Sequence, residues 1–186
     1  MRESKLSDEL ILVDARNRVE GHASRARCHA GQGLRHRAFS VFLFNARGEV
    51  LLQRRSRSKR LWPAYWSNSC CSHPRRGESV TSAARRRLHE ELGIRTGVKL
   101  VFRFEYQASY RAVGSEHEVC AVLLARSDAE VRPNAEEVAE WRYVAPEELD
   151  RRLLRAPGAH TPWMRLEWLR LRNGHWPAVR SYLDAH

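Results

Sequence analysis

The segment from Glu78 to Gly93 restricts the possible folds more than any other part of the chain. Its apolar residues recur at intervals of four and share one face of a helix: Val80, Ala84, Leu88 and Leu92. Gly93 follows the last of them, and glycine readily adopts the left-handed conformation that ends a helix. The pattern predicts a helix over residues 78–92 with one apolar face.

Strand-like segments lie on both sides of this helix. They are apolar or alternating runs at residues 10–13, 37–44, 50–52, 98–106, 117–125 and 140–144. Further helices are predicted at residues 146–154 and 162–172, and loops at 54–66 and 67–77. The chain is therefore predicted to have an α+β fold, a mixed β-sheet flanked by helices. We expect a single domain over residues 1–186, with its core at about residues 10–172.

The hydropathy of the chain favours a soluble protein. Mean hydropathy is −0.60, and no apolar run approaches the roughly 20 residues that a membrane span needs. Residues 1–9 mix acids and bases and have no apolar stretch of the kind found in secretory signals. We therefore expect no membrane span and a cytoplasmic location.

The formal net charge of +11 raises the question of nucleic-acid binding. All but three of the 33 basic residues are arginine, and they are spread along the whole chain instead of forming one arm. This distribution is more typical of codon bias than of a nucleic-acid interface, so we expect no nucleic-acid partner. Small anionic substrates fit better, because arginine binds phosphate with a planar fork of donors.

Histidines and alternating acids form a candidate metal site. His29, His36 and His73 lie in polar or turn-rich segments, and Glu116 and Glu118 point to the same side of a predicted strand. Imidazoles with a pair of carboxylates suit a divalent transition metal such as Mn²⁺ or Zn²⁺. The spacing alone leaves open that each histidine is an ordinary surface or core residue.

Cys71 is one of four cysteines that lack the spacing of a disulfide framework. It lies two residues from His73, so it could be a reactive thiol whose thiolate is favoured by a nearby cation. It could equally be a buried structural cysteine.

Arg87 and Glu91 share a helix face and also have two interpretations. They form an exposed ion pair, or Glu91 holds Mg²⁺ while Arg87 meets a phosphate that the metal bridges.

Residues 72–94 resemble the Nudix box, G-x5-E-x7-R-E-U-x-E-E-x-G-U, where U is aliphatic. Glu78, Arg86, Leu88, Glu90, Glu91, Gly93 and Ile94 match it. Ser72 replaces the first glycine, and Arg87 replaces the glutamate after the arginine. The loss of an acid from the metal-binding cluster counts against pyrophosphate hydrolysis, which needs metals to activate water.

Five segments together resemble type I isopentenyl-diphosphate isomerases: residues 35–40, 54–66, 68–74, 116–120 and 161–164. The most specific are Asn68-Ser69-Cys70-Cys71-Ser72-His73-Pro74 and Glu116-His117-Glu118-Val119-Cys120. The resemblance extends over about residues 10–170 and implies a Nudix-like fold. It also implies isomerisation of isopentenyl diphosphate to dimethylallyl diphosphate through a tertiary carbocation. It makes Cys71 and Glu118 the catalytic residues and Tyr106 an assistant to Glu118. Its implied metal ligands are His29, His36, His73, Glu116 and Glu118 for Mn²⁺ or Zn²⁺, and Glu91 for Mg²⁺. Its implied substrate-binding residues are Arg25, Arg55, Lys59, Arg87 and Trp163.

Three hypotheses follow from these observations. The first is the isomerase, which would be a monomer or weak homodimer. The second is a Nudix hydrolase of nucleotide or isoprenoid diphosphates, which a glutamate at position 87 would have favoured. The third is a basic binding module with a structural zinc, which would tolerate Cys71→Ser and Glu118→Gln.

Overall fold

The computed structural model describes residues 9–185, which form one nine-stranded mixed sheet with helices on both faces. The strands are β1 Glu9–Val13, β2 Val19–Ser24, β3 His36–Phe44, β4 Val50–Arg55, β5 Trp66–Ser67, β6 Cys70–Ser72, β7 Val98–Tyr110, β8 Gly114–Arg126 and β9 Val138–Val144. The α-helices are α1 Arg25–Cys28, α2 Val80–Leu92, α3 Pro146–Arg155, α4 Pro162–Arg170 and α5 Trp176–Asp184. A 3₁₀ turn at Pro157–Ala159 precedes α4, and a π-helical segment at Leu171–His175 joins α4 to α5.

Strand β3 organises the sheet, because it pairs with strands from distant parts of the chain. It runs parallel to β8, from the pair His36 and Glu118 to the pair Phe44 and Arg126. It also runs antiparallel to the short strand β6, with Ser40 opposite Cys71. The register alone therefore brings a candidate metal ligand next to Glu118 and places Cys71 on the same strand system.

The two faces of β3 bury two separate cores. Phe39, Val41 and Leu43 pack against the apolar face of α2. Phe42 and Phe44 pack on the opposite face with residues of α4 and α5, including Trp168. Because side chains alternate along a strand, His36, Ala38 and Ser40 lie on the α4 side. The site described below is on that side.

The predicted fold class is correct, and most predicted elements are present. Helix α2 begins at Val80, two residues later than expected, because the Ser79 hydroxyl caps it by accepting the Ser82 amide hydrogen at 3.1 Å. It ends at Gly93, whose φ of 71° is left-handed. The prediction that residues 67–77 form only a loop is wrong, because Cys70–Ser72 is strand β6. The predicted helix at 162–172 stops at Arg170. Strand β2 and helix α5 were not predicted.

Within residues 9–185, no helix is long and apolar enough to cross a membrane. The expectation that residues 1–9 carry no secretory signal concerns a segment that lies almost wholly outside the described residues. The predicted domain bounds, 1–186, likewise extend beyond them at both ends.

Candidate active site

Three imidazoles and two carboxylates converge at one end of the sheet. His29 follows α1, His36 begins β3, His73 follows β6, and Glu116 and Glu118 lie on β8. One potential ligand atom from each of the five residues lies within 4.8 Å of all the others. His29 Nε2 is 2.8 Å from a Glu116 oxygen, and His73 Nε2 is 2.9 Å from Glu118 Oε1. The structure thus brings together the five predicted ligands of the transition-metal site.

The histidines are oriented as metal ligands usually are. His29 Nδ1 lies 2.7 Å from the Arg25 carbonyl oxygen, and His36 Nδ1 lies 2.7 Å from that of Leu34. A neutral imidazole that donates its Nδ1 hydrogen outward leaves a bare Nε2 pointing inward. The Nε2 atoms of His36 and His73 are 3.0 Å apart. Two ligand bonds of about 2.1 Å that meet at roughly a right angle give this spacing. The donor set therefore fits a divalent metal.

Burial and close pairing set the protonation of this cluster. Burial opposes ionisation of Glu118, yet hydrogen bonds from His36 and His73 hold its pKa well below the usual range. Burial and the charge of Glu118 raise the pKa of Glu116. Burial lowers the pKa of His73 well below its usual value and keeps the imidazole neutral. Burial opposes protonation of His29, but its hydrogen bond with Glu116 raises its pKa. The cluster therefore presents a neutral His73 imidazole and an ionised Glu118, which are protonation states that bind a cation.

Tyr106 connects Glu118 to an aromatic pocket. Its hydroxyl donates to Glu118 Oε2 at 2.7 Å, while Oε1 faces the histidines. The two carboxylate oxygens of Glu118 therefore have different partners. Burial and the charge of Glu118 raise the pKa of Tyr106 well above its usual value, so it is a stable hydrogen donor. This contact supports the predicted assisting role of Tyr106.

The Cys71 sulfur is surrounded by polar groups. It donates to Asn68 Oδ1 at 2.7 Å and accepts a hydrogen bond from Trp163 Nε1 at 3.2 Å. The hydroxyls of Ser40 and Ser67 lie 3.5 and 3.8 Å away. The Asn68 amide donates to the Val41 and Cys70 carbonyls, which fixes its oxygen toward Cys71. Such a surrounding is unlike that of an inert core cysteine and favours a thiol with a function.

The prediction that a nearby cation would favour the Cys71 thiolate is wrong for the residues described. Burial raises the pKa of Cys71 to about 12, and the neighbouring Glu167 adds to the rise. The hydrogen bond with Ser40 and the charge of Arg55 offset only part of it. The sulfur is therefore a thiol before substrate binds. The adjacent Cys70 is fully buried among the α2-side residues, on the other face of β6.

Trp163 lies between Cys71 and Tyr106. It is 3 % exposed, and its ring centre is 5.2 Å from that of Trp62 and 6.3 Å from that of Tyr106. The Arg55 guanidinium lies over it, 5.3 Å from the ring centre. Arg55 also donates to the carbonyl oxygens of Leu61 and Trp62 and so holds the loop after β4. The two expected proton-transfer residues are thus connected through an aromatic wall.

A second, charged cluster surrounds Arg87 on α2. Arg87 donates to Glu91 Oε1 at 2.7 Å and to Glu137 Oε1 at 2.9 Å, and Lys59 pairs with the other oxygen of Glu137. Glu91 is 2 % exposed, so the Arg87–Glu91 ion pair is buried and not the surface pair considered above. Burial raises the pKa of Glu91, although Arg87 opposes the rise. Arg25 is exposed at the start of α1 and contributes its carbonyl to His29.

Comparisons with known proteins assign this chain to a family. The model of the NUDIX domain matches residues 34–179. An isopentenyl-diphosphate Delta-isomerase of Nocardia farcinica is 45% identical over 154 residues, which are 82% of this chain and 88% of that protein. The chain belongs to the NUDIX family and, within it, to the isopentenyl-diphosphate Delta-isomerases. The family resemblance expected from the sequence is confirmed.

Further similarities agree with this family. An isopentenyl-diphosphate Delta-isomerase of Photorhabdus laumondii is 36% identical over 90% of this chain and 97% of its own length. The crystal structure of a Deinococcus radiodurans protein superimposes with a TM-score of 0.70, at 24% identity, over 87% of this chain and 98% of that one. The structural match supports the fold alone. The sequence matches are those of an isomerase family.

Several residues that shape this isomerase-family site were not found from the sequence. Asn68 and Ser67 lie within or beside the motif around Cys71, but no role was assigned to them. Glu137, which binds both Lys59 and Arg87, lies in a segment without a recognisable motif. Ser40 is an ordinary strand residue until β6 pairs with it. Only the strand pairing and the loop packing reveal these contacts.

Proposed function

We propose that this protein catalyses the interconversion of isopentenyl diphosphate and dimethylallyl diphosphate, an isomerase reaction of isoprenoid biosynthesis. The observation that carries the proposal is that two different groups capable of proton transfer, a carboxyl and a thiol, contact one aromatic cluster. Glu118, hydrogen-bonded to Tyr106, stands at one end, and Cys71, hydrogen-bonded to Trp163, at the other. Moving a double bond along a five-carbon chain requires one proton to be added and another to be removed, so two such groups are needed.

In the reaction, one of these two groups, in its protonated form, adds a proton to the terminal alkene carbon, and the other, in its deprotonated form, takes a proton from the carbon on the other side of the double bond. Tyr106 assists Glu118 through their hydrogen bond, and each group regains its first protonation state by exchange with solvent. We place these groups on opposite faces of the substrate. The tertiary carbocation formed between the two steps lies against Trp163 and its aromatic neighbours. An aromatic face stabilises a cation without attacking it, whereas water would quench it.

The five-residue cluster would hold Mn²⁺ or Zn²⁺ through His29, His36, His73, Glu116 and Glu118. A bound metal would withdraw charge from Glu118 and fix its orientation. Glu91 would hold Mg²⁺ together with the diphosphate of the substrate, consistent with the preference of that ion for carboxylate and phosphate oxygens. The histidine-rich and carboxylate-only donor sets fit these two kinds of ion respectively.

The diphosphate end is bound by the basic residues around the pocket. Arg87 and Lys59 belong to the charged cluster, Arg55 lies over Trp163, and Arg25 stands beside the metal-ligating histidines in the chain. Binding energy from the diphosphate positions a small hydrocarbon that offers few contacts of its own. We further propose a cytoplasmic protein, a monomer or weak homodimer, that has no nucleic-acid partner.

One assay tests the proposal. The protein is incubated with isopentenyl diphosphate, Mg²⁺ and Mn²⁺ in D₂O and followed by NMR. Deuterated dimethylallyl diphosphate is the expected product, because the added proton comes from groups that exchange with solvent. Release of phosphate or pyrophosphate would instead support a Nudix hydrolase. An unchanged spectrum with the metal-loaded protein would contradict both enzymes and favour a binding module.

A further inference from the structure

Strand β4 buries an amide side chain beside the charged cluster around Arg87. Gln53 is 4 % exposed, and its backbone is paired on both sides, with Ser67 of β5 and Trp141 of β9. Because side chains alternate along a strand, Gln53 and Leu51 lie on the side of the sheet that α2 covers. The strand pairing therefore fixes the Gln53 amide against α2.

One end of the Gln53 amide is bound and the other is not. Nε2 donates to Glu91 Oε2 at 3.3 Å, and the nitrogen is the end that can donate to a carboxylate. Oε1 is buried and has no hydrogen-bond partner within residues 9–185. A buried carbonyl oxygen without a donor is costly, because it has lost its bonds to water. A further donor at this point would remove that cost.

The two oxygens of the Glu91 carboxylate have unequal partners. Oε1 accepts two hydrogen bonds from Arg87, at 3.1 and 2.7 Å, whereas Oε2 accepts the longer bond from Gln53. Oε2 is therefore the less strongly bound oxygen and the one that a cation can share. It has two lone pairs, so it can accept from Gln53 Nε2 and bind an ion at the same time.

A hydrated Mg²⁺ on Glu91 Oε2 would supply the missing donor. The nitrogen and oxygen of an amide are about 2.2 Å apart, so Gln53 Oε1 lies at most about 5.5 Å from Glu91 Oε2. Two magnesium–oxygen bonds of about 2.1 Å and one hydrogen bond of about 2.8 Å span up to roughly 7 Å. A water on the ion can therefore reach Gln53 Oε1. Mg²⁺ keeps several of its waters in proteins, which favours this contact over direct coordination.

We propose that Gln53 is a positioning residue for magnesium, whose side-chain oxygen accepts a hydrogen bond from a water on the Mg²⁺ held by Glu91 and the substrate diphosphate. Gln53 thereby orients the hydrated ion toward the diphosphate without contacting the substrate. Partners of this kind, which act on a metal through its ligands, strongly affect metal affinity. This inference rests on the proposed function, in which Glu91 binds Mg²⁺.

The test measures how much Mg²⁺ strengthens the binding of inorganic pyrophosphate in titration calorimetry. The full chain first receives one equivalent of Zn²⁺ for the histidine–glutamate cluster, and titrations are then run with and without excess Mg²⁺. The ratio of the two affinities is the Mg²⁺ enhancement. Complex formation between Mg²⁺ and pyrophosphate in solution contributes equally to every variant, so differences in the enhancement come from the protein.

Gln53→Met keeps a similar volume but has no amide oxygen. It should lower the Mg²⁺ enhancement about tenfold and leave the affinity without Mg²⁺ within about twofold of the wild type. Gln107→Met is the matched control, because Gln107 is an exposed glutamine on β7; it should show the wild-type enhancement. A wild-type enhancement in Gln53→Met would overturn the proposal. An equal loss of affinity with and without Mg²⁺ would also overturn it, because it would show a purely structural role.

Two further variants keep the test valid if methionine disturbs the packing. Gln53→Glu places a charged acceptor at the same point, so it should raise the enhancement about threefold; an enhancement no larger than that of the wild type would contradict the proposal. In a Glu91→Gln background, Gln53→Met should not change the affinity measured with Mg²⁺, because the ion that couples the two residues is lost. An undiminished effect in that background would count against the coupling.

The outcomes separate this inference from the proposed function. Thermal unfolding of each variant without Mg²⁺ shows whether it is folded, and isomerisation of isopentenyl diphosphate by the wild type, followed by NMR, tests the function alone. An active wild type whose Gln53→Met variant keeps the full enhancement contradicts only the role of Gln53. A wild type without any Mg²⁺ enhancement contradicts that role whether or not it isomerises the substrate.

Discussion

The histidine–glutamate cluster and the charged cluster around Arg87 differ in how their charges are balanced. In the first, one potential ligand atom from each of five residues lies within 4.8 Å of the others, and the charge of Arg25 acts on His73. In the second, Arg87 and Lys59 already share the carboxylates of Glu91 and Glu137. The donor atoms of the first cluster could hold a cation, whereas the carboxylates of the second already pair with basic residues of the chain.

This difference indicates two ways of preparing a site. The first cluster is preorganised, because carbonyl oxygens already orient two of its three imidazoles, those of His29 and His36. The second would have to exchange partners to bind a diphosphate as proposed, because Glu137 already pairs with both Arg87 and Lys59. We expect substitutions in the first cluster to affect chemistry and metal retention, and substitutions in the second to affect affinity and stability.

The largest effect is expected for Glu118→Gln. The amide can neither deliver a proton nor bind a cation as a carboxylate does, so kcat should fall by at least about a thousandfold. The rate of conversion of isopentenyl diphosphate, followed by NMR, measures the loss. Glu105→Gln is the control, because Glu105 is a partly exposed carboxylate that pairs with His117 outside the cluster. Comparable activity of Glu118→Gln and wild type would refute the assignment of proton transfer to Glu118.

Removal of the metal should be the next largest effect. A chelator should lower the melting temperature, and Mn²⁺ should restore it, because an ion at 100 times its dissociation constant stabilises the native state by about 2.7 kcal/mol. His36→Ala should abolish this response in differential scanning calorimetry. His117→Ala should retain it, since His117 is bound to Glu105 and is not among the five ligands. An identical Mn²⁺ response in both variants would place the ion elsewhere.

The free energy of unfolding should depend on pH because of the charged cluster around Arg87. Burial would raise the pKa of Glu137, but Lys59 and Arg87 lower it to about 2. The carboxyl of Glu91 belongs to the same cluster and interacts with Glu137. A carboxyl whose pKa is lower in the folded than in the unfolded protein stabilises the folded state at pH values above the unfolded pKa, here 4.5. The stabilisation is lost as the pH falls toward the folded pKa of about 2. Glu137→Gln should therefore lower the free energy of unfolding by about 1–2 kcal/mol at pH 6 and by almost nothing at pH 2. Urea denaturation at both values measures the difference; equal losses at the two pH values would contradict it.

The smallest expected effect is on the affinity of the protein for inorganic pyrophosphate. In Glu137→Gln, a diphosphate no longer competes with a carboxylate for Arg87 and Lys59. The variant should bind inorganic pyrophosphate about threefold more tightly in titration calorimetry at low salt. The neighbouring Glu136→Gln removes an equal charge from an exposed position and should bind as the wild type does. Weaker binding in Glu137→Gln would mean that Glu137 organises the two cations instead of competing for them.

The sequence predicts the parts of the fold in which pattern and burial coincide. Strand β3 and helix α2 each bury a periodic apolar set, so both were found with their ends within about two residues. Strand β6 was missed because Ser-Cys-Cys-Ser shows no alternation of apolar and polar residues. Strand β2 was missed because Val-Glu-Gly-His-Ala-Ser is largely polar and half exposed. These two strands exist through pairing with β3 and β1, which no local pattern contains.

The candidate site shows the same limit. The five residues were considered as ligands from their chemistry and from strand alternation, but only the family resemblance selected them, because the intervals between His29, His36 and His73 match no general metal motif. Their convergence depends on the parallel register that sets His36 opposite Glu118. Glu137 and Glu167 carried no signal at all, since each becomes notable only when a distant helix or loop packs against it.

Adjacent Cys70 and Cys71 give the short strand β6 an unusual sensitivity to sliding. Three residue pairs with β3 hold it, and its two sulfurs face opposite sides of the sheet. A shift of β6 by one residue against β3 would exchange the faces on which the two sulfurs lie, so that Cys70 would take the place of Cys71. A thiol would still lie there, but its hydrogen-bond partners would be displaced. Strand alignment, not residue type, therefore decides which of the two sulfurs lies beside Trp163. Insertion or deletion of a single residue between Ser67 and Cys70 would exchange the faces of the sheet on which the two thiols lie, without substituting either cysteine.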